Sequence, residues 1–236
     1  MKQRIALLGA TGSIGRQTLD IVRHYPEMFE AVVLTSNNNW QELADQAVEF
    51  LPDSVVIANR EHYEALCEAL KDHPVKVYAG SDAISQVAAS TGVDTVVNAL
   101  VGYAGLEPTI SALEAGKKLA LANKESLVVA GEIVMRTARE NNAPIIPIDS
   151  EHSAVFQCLT GEASPVSKVI LTASGGPFLD ASLDEMESAT VEQALAHPKW
   201  KMGAKITIDS ATMLNKGLSL IPICRCRRRG QGRDWW

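Results

Sequence analysis

The 236-residue chain has little of what several protein classes depend on. Its four cysteines, at positions 67, 158, 224 and 226, show neither the paired CxxC spacing of a zinc site nor the density of a disulfide framework. A disulfide-stapled scaffold is excluded, and Cys67 and Cys158 read as packing residues. No apolar run approaches the roughly 18–20 residues that a membrane span needs, so no membrane partner is expected. The opening segment MKQRIALLGATG passes straight into a strand-and-glycine pattern without a cleavable apolar stretch, and a cytoplasmic location is expected. Positive charge is also short, with a formal net charge of −6. Residues 221–236 carry five arginines and one acid, so the first 220 residues hold 17 basic and 27 acidic side chains, a net of −10. That balance argues against a nucleic-acid partner for the folded body.

What is present is a large apolar fraction, 46%, enough for one large or two small domains with a buried core. Apolar, β-branched runs alternate with helix-length amphipathic segments: RIALLG then SIGRQTLDIVRHY, AVVLTS then WQELADQAVEF, SVVIAN then REHYEALCEAL. The pattern continues through VKVYAG and a short helix to about Ala89, DTVVNAL and LEPTISALEAG, KKLALAN and KESLVVAGEIVMRTARENN, and APIIPID. Gly116 is placed to end a helix as a left-handed cap. Runs apolar throughout suit strands covered by helices on both faces, so the expected class is α/β, a doubly wound Rossmann-like parallel sheet. After Asp149 the texture changes to a helix over Ser150–Leu159, a strand SKVILTA, a glycine turn SGGPF, an acidic stretch, a short helix HPKWKMG and a strand KITIDSAT. The expected organisation is a nucleotide domain over 1–148, an incomplete α+β catalytic domain over 149–218, and a basic, disordered tail over 219–236.

LLGATGSIGRQ sets Gly9, Gly12 and Gly15 at the turn between the first strand and first helix, as GxxGxxG. Glycines let a backbone approach a pyrophosphate, whose charge the N–H groups of a helix N-terminus hold. The second strand ends in Thr35, Ser36, Asn37, Asn38 and Asn39, with no carboxylate to hold a ribose diol. An acid there would repel a 2'-phosphate, so its lack favours NADP, with Arg16 as one candidate for the phosphate charge. Asn123, Lys124 and Glu125 follow the sixth strand at the carboxyl edge, either as site residues or as a helix start capped by Asn123. Asp149 and Glu151, two apart, can direct both carboxylates at one hard cation, Mg²⁺ or Mn²⁺; alternatively Asp149 caps the next helix. His152 reads as helix surface. Ser174 with its two glycines, and Asp209, Ser210, Thr212, Asn215 and Lys216 in IDSATMLNKG, have the makings of a phosphate clamp.

GATGSIG, ANKESLV, PIDSEH, TASGGPF, HPKWKMG and KITIDSATMLNKG, in this order, resemble the 1-deoxy-D-xylulose 5-phosphate reductoisomerase family over residues 1 to about 218. The resemblance implies rearrangement and NADPH-dependent reduction of that sugar phosphate to 2-C-methyl-D-erythritol 4-phosphate, in the non-mevalonate route to isoprenoids, with a homodimer as the family's usual assembly. It implies that Thr11, Gly12, Ser13 and Ile14 contact NADPH, with Asn123, Glu125 and Gly203 beside it and Asn37, Asn38 and Asn39 at the adenosine phosphate. A family lysine falls at Asn38, which departs from it. Lys124, Ser150, Glu151, Ser174, His197, Ser210, Asn215 and Lys216 match the substrate-binding set, Lys124 and Glu151 match catalytic positions, Asp149 and Glu151 match metal ligands, and Trp200 matches a closing loop. In the family NKGL precedes a glutamate that is the third metal ligand; here that position is Ser219. The remainder, SLIPICRCRRRGQGRDWW, departs from the pattern, with Trp235 and Trp236 expected to be exposed, so a weakly active or inactive form is expected. Two other readings are an NADPH-binding fragment without catalysis and a semialdehyde-type dehydrogenase, for which Cys158 lacks a recognisable acyl-transfer setting.

Overall fold

The computed structural model describes residues 2–228, with side chains through residue 223. Contacts divide the chain into a first unit ending at Asp149 and a second beginning at Ser150. Asp149, placed from the sequence at the head of the second domain, packs with the first.

In the first unit the strands are β1 (Gln3–Leu8), β2 (Phe29–Ser36), β3 (Ser54–Ile57), β4 (Lys76–Ala79), β5 (Thr95–Asn98), β6 (Lys118–Leu121) and β7 (Ile145–Pro147). They form one parallel sheet in the order β4-β3-β2-β1-β5-β6-β7. The helices between them are α1 (Ser13–His24), α2 (Trp40–Phe50), α3 (Tyr63–Leu70), α4 (Ser81–Ala88), α5 (Leu106–Glu114) and α6 (Lys124–Glu140). The chain steps outward from β1 to β4, then returns past β1 to β5 and steps the other way. With right-handed crossovers this reversal puts helices on both faces, the doubly wound arrangement. One core joins Leu7, Leu34, Val55 and Ile57 of the sheet to Leu19 of α1, Leu43 and Ala47 of α2, and Leu66 and Leu70 of α3. Strands such as β3 and β5 are buried at every residue, which is why their sequences run apolar without alternation. Gly116 takes φ +67° just past α5 and donates its N–H to Leu113 at 3.0 Å, the left-handed stop that its position indicated. β7 lies at one edge, tied to β6 where Leu119 N–H donates to the Pro144 carbonyl and Ile148 N–H to the Leu121 carbonyl.

In the second unit α7 covers Ser150–Leu159, followed by the short helices α8 (Leu183–Glu187) and α9 (Val191–Leu195), then α10 (Ala204–Ala211) and α11 (Leu214–Arg228). Three expectations change here. SKVILTA is irregular, HPKWKMG is a loop, and KITIDSAT is α10, a helix. Its period-two, β-branched pattern fits a strand, but a strand needs a neighbour for its backbone groups. Among the described residues of this unit no strand is formed, and a helix satisfies those groups within the segment. The tail expectation also changes: residues 219–228 continue α11 through Pro222. Its start is pinned at Ser219, which is fully buried; its hydroxyl donates to the Asn215 carbonyl at 3.0 Å. Residues 229–236, including Trp235 and Trp236, lie outside the described residues. No helix among the described residues is long and apolar enough to cross a membrane.

Candidate nucleotide and substrate site

The order reversal falls between β1 and β5, so a crevice opens at their carboxyl ends, where such sheets bind ligands. Gly9 turns there with φ +87°, and a Cβ on it would fall 3.0 Å from the Ala99 carbonyl oxygen, at the end of β5. A Cβ on Gly15 would collide with the Gly9 and Ala10 carbonyls, so the first turn of α1 can press against the loop only without a side chain. The loop is pinned from β2: Gly9 N–H donates to Thr35 Oγ1 at 3.0 Å, Ala10 N–H to the Thr35 carbonyl at 2.8 Å, and Thr11 and Ser36 hydroxyls meet at 2.9 Å. Gly12 is the N-cap of α1, with no side-chain cap and no acid in the first turn. The first N–H groups of a helix lack intrahelical acceptors, and at Ser13 and Ile14 they suit a phosphate.

At the end of β2 the asparagine run is exposed. Asn39 caps α2, its Oδ1 accepting from Glu42 N–H at 3.3 Å, and Asn38 Oδ1 accepts from Asn59 Nδ2 at 3.0 Å. Arg16 is not available there as an unopposed charge. Its Nε and Nη2 donate to the two carboxylate oxygens of Glu42 at 2.5 and 2.7 Å, a partner the sequence reading missed. The pair lowers the Glu42 pKa from its ordinary 4.5, chiefly through the hydrogen bonds from Arg16. A depressed carboxylate contributes stability above its unfolded value and loses it as pH falls through the lower folded value. Glu42→Gln should therefore flatten the loss of stability below about pH 4.5, by at most about 1 kcal/mol because Arg16 is more than half exposed. Urea midpoints of both proteins at neutral and acid pH check this.

Beyond β5 and β6 two buried asparagines shape the edge. Asn98 Nδ2 donates to the Gly105 carbonyl at 2.9 Å and Thr109 Oγ1 at 2.8 Å, while its Oδ1 accepts from Leu100 N–H at 3.1 Å. Asn123 Nδ2 donates to the Leu100 and Gly102 carbonyls, both at 2.9 Å, and its Oδ1 caps α6 through Ser126 N–H at 3.1 Å. Asn123 is thus a cap and a loop tie at once. Glu125 lies half-buried in the first turn of α6. Lys124 is buried, its Nζ donating to Asp149 Oδ1 at 2.7 Å.

In the second unit Glu151 lies in the first turn of α7, 5% exposed, its Oε1 accepting from Lys216 Nζ and, at 3.3 Å, from Asn215 Nδ2. His152 is not surface but 2% exposed; its Nε2–H donates to the Ser219 carbonyl at 2.9 Å, since a carbonyl can only accept. Apolar spacing could not reveal this, because the group His152 meets is a backbone atom 67 residues away. Ser174 and His197 do come together. His197 Nδ1 accepts the backbone N–H groups of Lys199 and Trp200 at 3.1 and 3.0 Å, so the proton sits on Nε2 and is donated to Ser174 Oγ at 3.0 Å. Gly176, φ +68°, packs so closely on the Ser210 carbonyl that a Cβ would fall 2.8 Å from it. Ser150 is exposed, Gly203 is the N-cap of α10, and Trp200 is 62% exposed in the loop that His197 organises.

A family model described as 1-deoxy-D-xylulose 5-phosphate reductoisomerase matches residues 5–131, and one for that enzyme's C-terminal domain matches residues 145–225. The chain belongs to the 1-deoxy-D-xylulose 5-phosphate reductoisomerase family. The Bacteroides fragilis reductoisomerase is 57% identical over 221 residues, 93% of this chain and 57% of that protein, and the Porphyromonas gingivalis enzyme is 56% identical. A crystal structure of DOX-P reductoisomerase in complex with NADPH, fosmidomycin and magnesium matches with TM-score 0.89 at 44% identity, over 94% of this chain and 57% of that one. The reductoisomerase from Zymomonas mobilis in complex with NADPH gives 0.82 at 43% identity, with the same coverage. The chain spans about 57% of the length of the curated relatives it matches. The reductoisomerase C-terminal model runs on past Ser219 to residue 225, further than the motifs alone carried the resemblance.

Proposed function

We propose that this protein serves the rearrangement and NADPH-dependent reduction of 1-deoxy-D-xylulose 5-phosphate to 2-C-methyl-D-erythritol 4-phosphate. The unit ending at Asp149 is the nucleotide half, and the unit beginning at Ser150 is the substrate half. The observation that supports this most is the uncapped α1 N-terminus at the β1/β5 reversal, in a chain of this family. Thr11, Gly12, Ser13 and Ile14 take the pyrophosphate, with Asn37, Asn38 and Asn39 at the adenosine end and Asn123, Glu125 and Gly203 towards the nicotinamide. Ser150, Ser174, His197, Ser210, Asn215 and Lys216 hold the sugar phosphate. In the Ser174–His197 bond the serine oxygen is the acceptor, so the serine hydroxyl hydrogen is left to meet the phosphate. Lys124 places a positive charge beside the reacting oxygens, and Trp200 with its loop excludes water. When bound, NADPH supplies the hydride. A homodimer and a cytoplasmic location are part of the same reading.

The family's cation, Mg²⁺ or Mn²⁺, does not find a complete shell in these residues. Asp149 is held by Lys124 and Glu151 by Lys216, the third position is a serine that donates to a backbone carbonyl, and no cluster of three metal-ligating side chains occurs among the described residues. The residues present therefore fit nucleotide binding without efficient turnover as this chain's own behaviour. The test is titration with NADPH and with Mn²⁺, read by nicotinamide fluorescence and by Mn²⁺ paramagnetic resonance. Saturable NADPH binding with weak Mn²⁺ binding is expected, and Ser219→Glu should tighten Mn²⁺ at least about tenfold by adding a charged ligand. Mn²⁺ bound as tightly by the parent as by the variant, with turnover of the sugar phosphate, would overturn the low-turnover reading. Absence of saturable NADPH binding would overturn the whole assignment.

A further inference from the structure

We infer that Arg60 is the residue that selects NADPH over NADH in this chain, by pairing with the adenosine 2'-phosphate; this rests on the nucleotide reading above. A 2'-phosphate at the end of β2 needs a cation, and the asparagine run has none. Four turns leave the carboxyl ends of β1 to β4, at residues 9–12, 37–39, 58–62 and 80, and only the third carries a lysine or arginine, Arg60. That turn is fastened to the asparagine run by the residue before it. Asn59 N–H donates to the Asn37 carbonyl at 3.0 Å, and Asn59 Nδ2 to Asn38 Oδ1 at 3.0 Å. Arg60 therefore leaves the backbone one residue from two bonds to the run where the phosphate is placed.

The rival cation is Arg16. Its Nε and Nη2 are taken by Glu42 in a bidentate pair, so a phosphate there would have to displace a carboxylate and then sit beside it. Arg60 meets no such cost. It is exposed, and among the described residues it has no carboxylate partner. Its guanidinium rests over Gly80, whose φ is +101° and whose missing Cβ would fall 2.5 Å from Nη2. A glycine at that point leaves the guanidinium room to lie across the sheet edge, and an unpaired arginine on a long stem can swing to a new anion with little loss. The planar fork then matches two phosphate oxygens, which a single asparagine amide cannot do.

The test is fluorescence titration of the 236-residue chain with NADPH and NADH, for the parent, Arg60→Gln, Arg60→Lys and Arg16→Gln. The parent should favour NADPH. Arg60→Gln should weaken NADPH about ten- to hundredfold while leaving NADH unchanged, and Arg60→Lys should recover part of the preference. A parent that favours NADPH with an Arg60→Gln variant that keeps the full preference overturns the inference but leaves the nucleotide reading standing. Equal loss of both dinucleotides marks a structural role and overturns it too, as does loss of the preference in Arg16→Gln alone or a parent with no preference. A parent that binds neither dinucleotide removes both this inference and the reading beneath it.

Discussion

Lys124→Met should destabilise the first unit by about 3–5 kcal/mol, the cost of leaving a buried charge without its counter-ion. Lys124 and Asp149 have side chains 6% and 9% exposed and meet at 2.7 Å, so water can do little for either charge alone. The attraction between them offsets their desolvation only while both are present. A double-mutant cycle separates the two effects: Asp149→Asn alone should also cost several kcal/mol, while the apolar pair Lys124→Met with Asp149→Leu should recover much of the loss. Denaturant midpoints at neutral pH measure it. A Lys124→Met protein within about 1 kcal/mol of the parent would show that the buried carboxylate does not depend on this lysine.

Gly15→Ala should cost at least about 3 kcal/mol and remove NADPH binding, the larger functional loss. The added methyl would fall on the Gly9 and Ala10 carbonyls, and neither can retreat easily. Gly9 and Ala10 are held to Thr35 by two hydrogen bonds, and Ala10's carbonyl also accepts from Gln46 Nε2 at 3.2 Å. Relief must come from shifting α1, which moves the N–H groups that would face the pyrophosphate. Gly217→Ala is the contrast, because among the described residues nothing lies within 4 Å of where its Cβ would fall; inside α11 it should gain up to about 1 kcal/mol. Thermal melts with NADPH titrations test both, and a Gly15→Ala protein that binds NADPH as the parent does would overturn the packing account.

The first unit was legible because each of its signals is local. Uniformly apolar runs such as TVVN mark strands covered on both sides, and Gly116 marks a left-handed stop; in the second unit only α7, Ser150–Leu159, was read to its ends. Asn123 was legible as a cap, yet its ties to Leu100 and Gly102 were not, since they depend on a loop 21 to 23 residues away. The second unit was misread where the pattern required a partner. KITIDSAT alternates as a strand does, but pairing is a property of two segments, and α10 forms without one. Arg16 was only partly legible for a related reason: its spacing places it on α1, while its pairing with Glu42 is decided by another helix.

The position of proline in β7 bears on how this molecule behaves when many copies are crowded together. Pro144 and Ile148 turn backbone groups towards β6, and by the alternation of a ladder those of Ile145 and Pro147, odd residues between them, point the opposite way. Of these two, proline has no hydrogen to give, which leaves a single donor along that rim of the sheet. A neighbouring chain attempting to extend the sheet from β7 would find an interrupted ladder, and fibrous self-association should have to begin elsewhere.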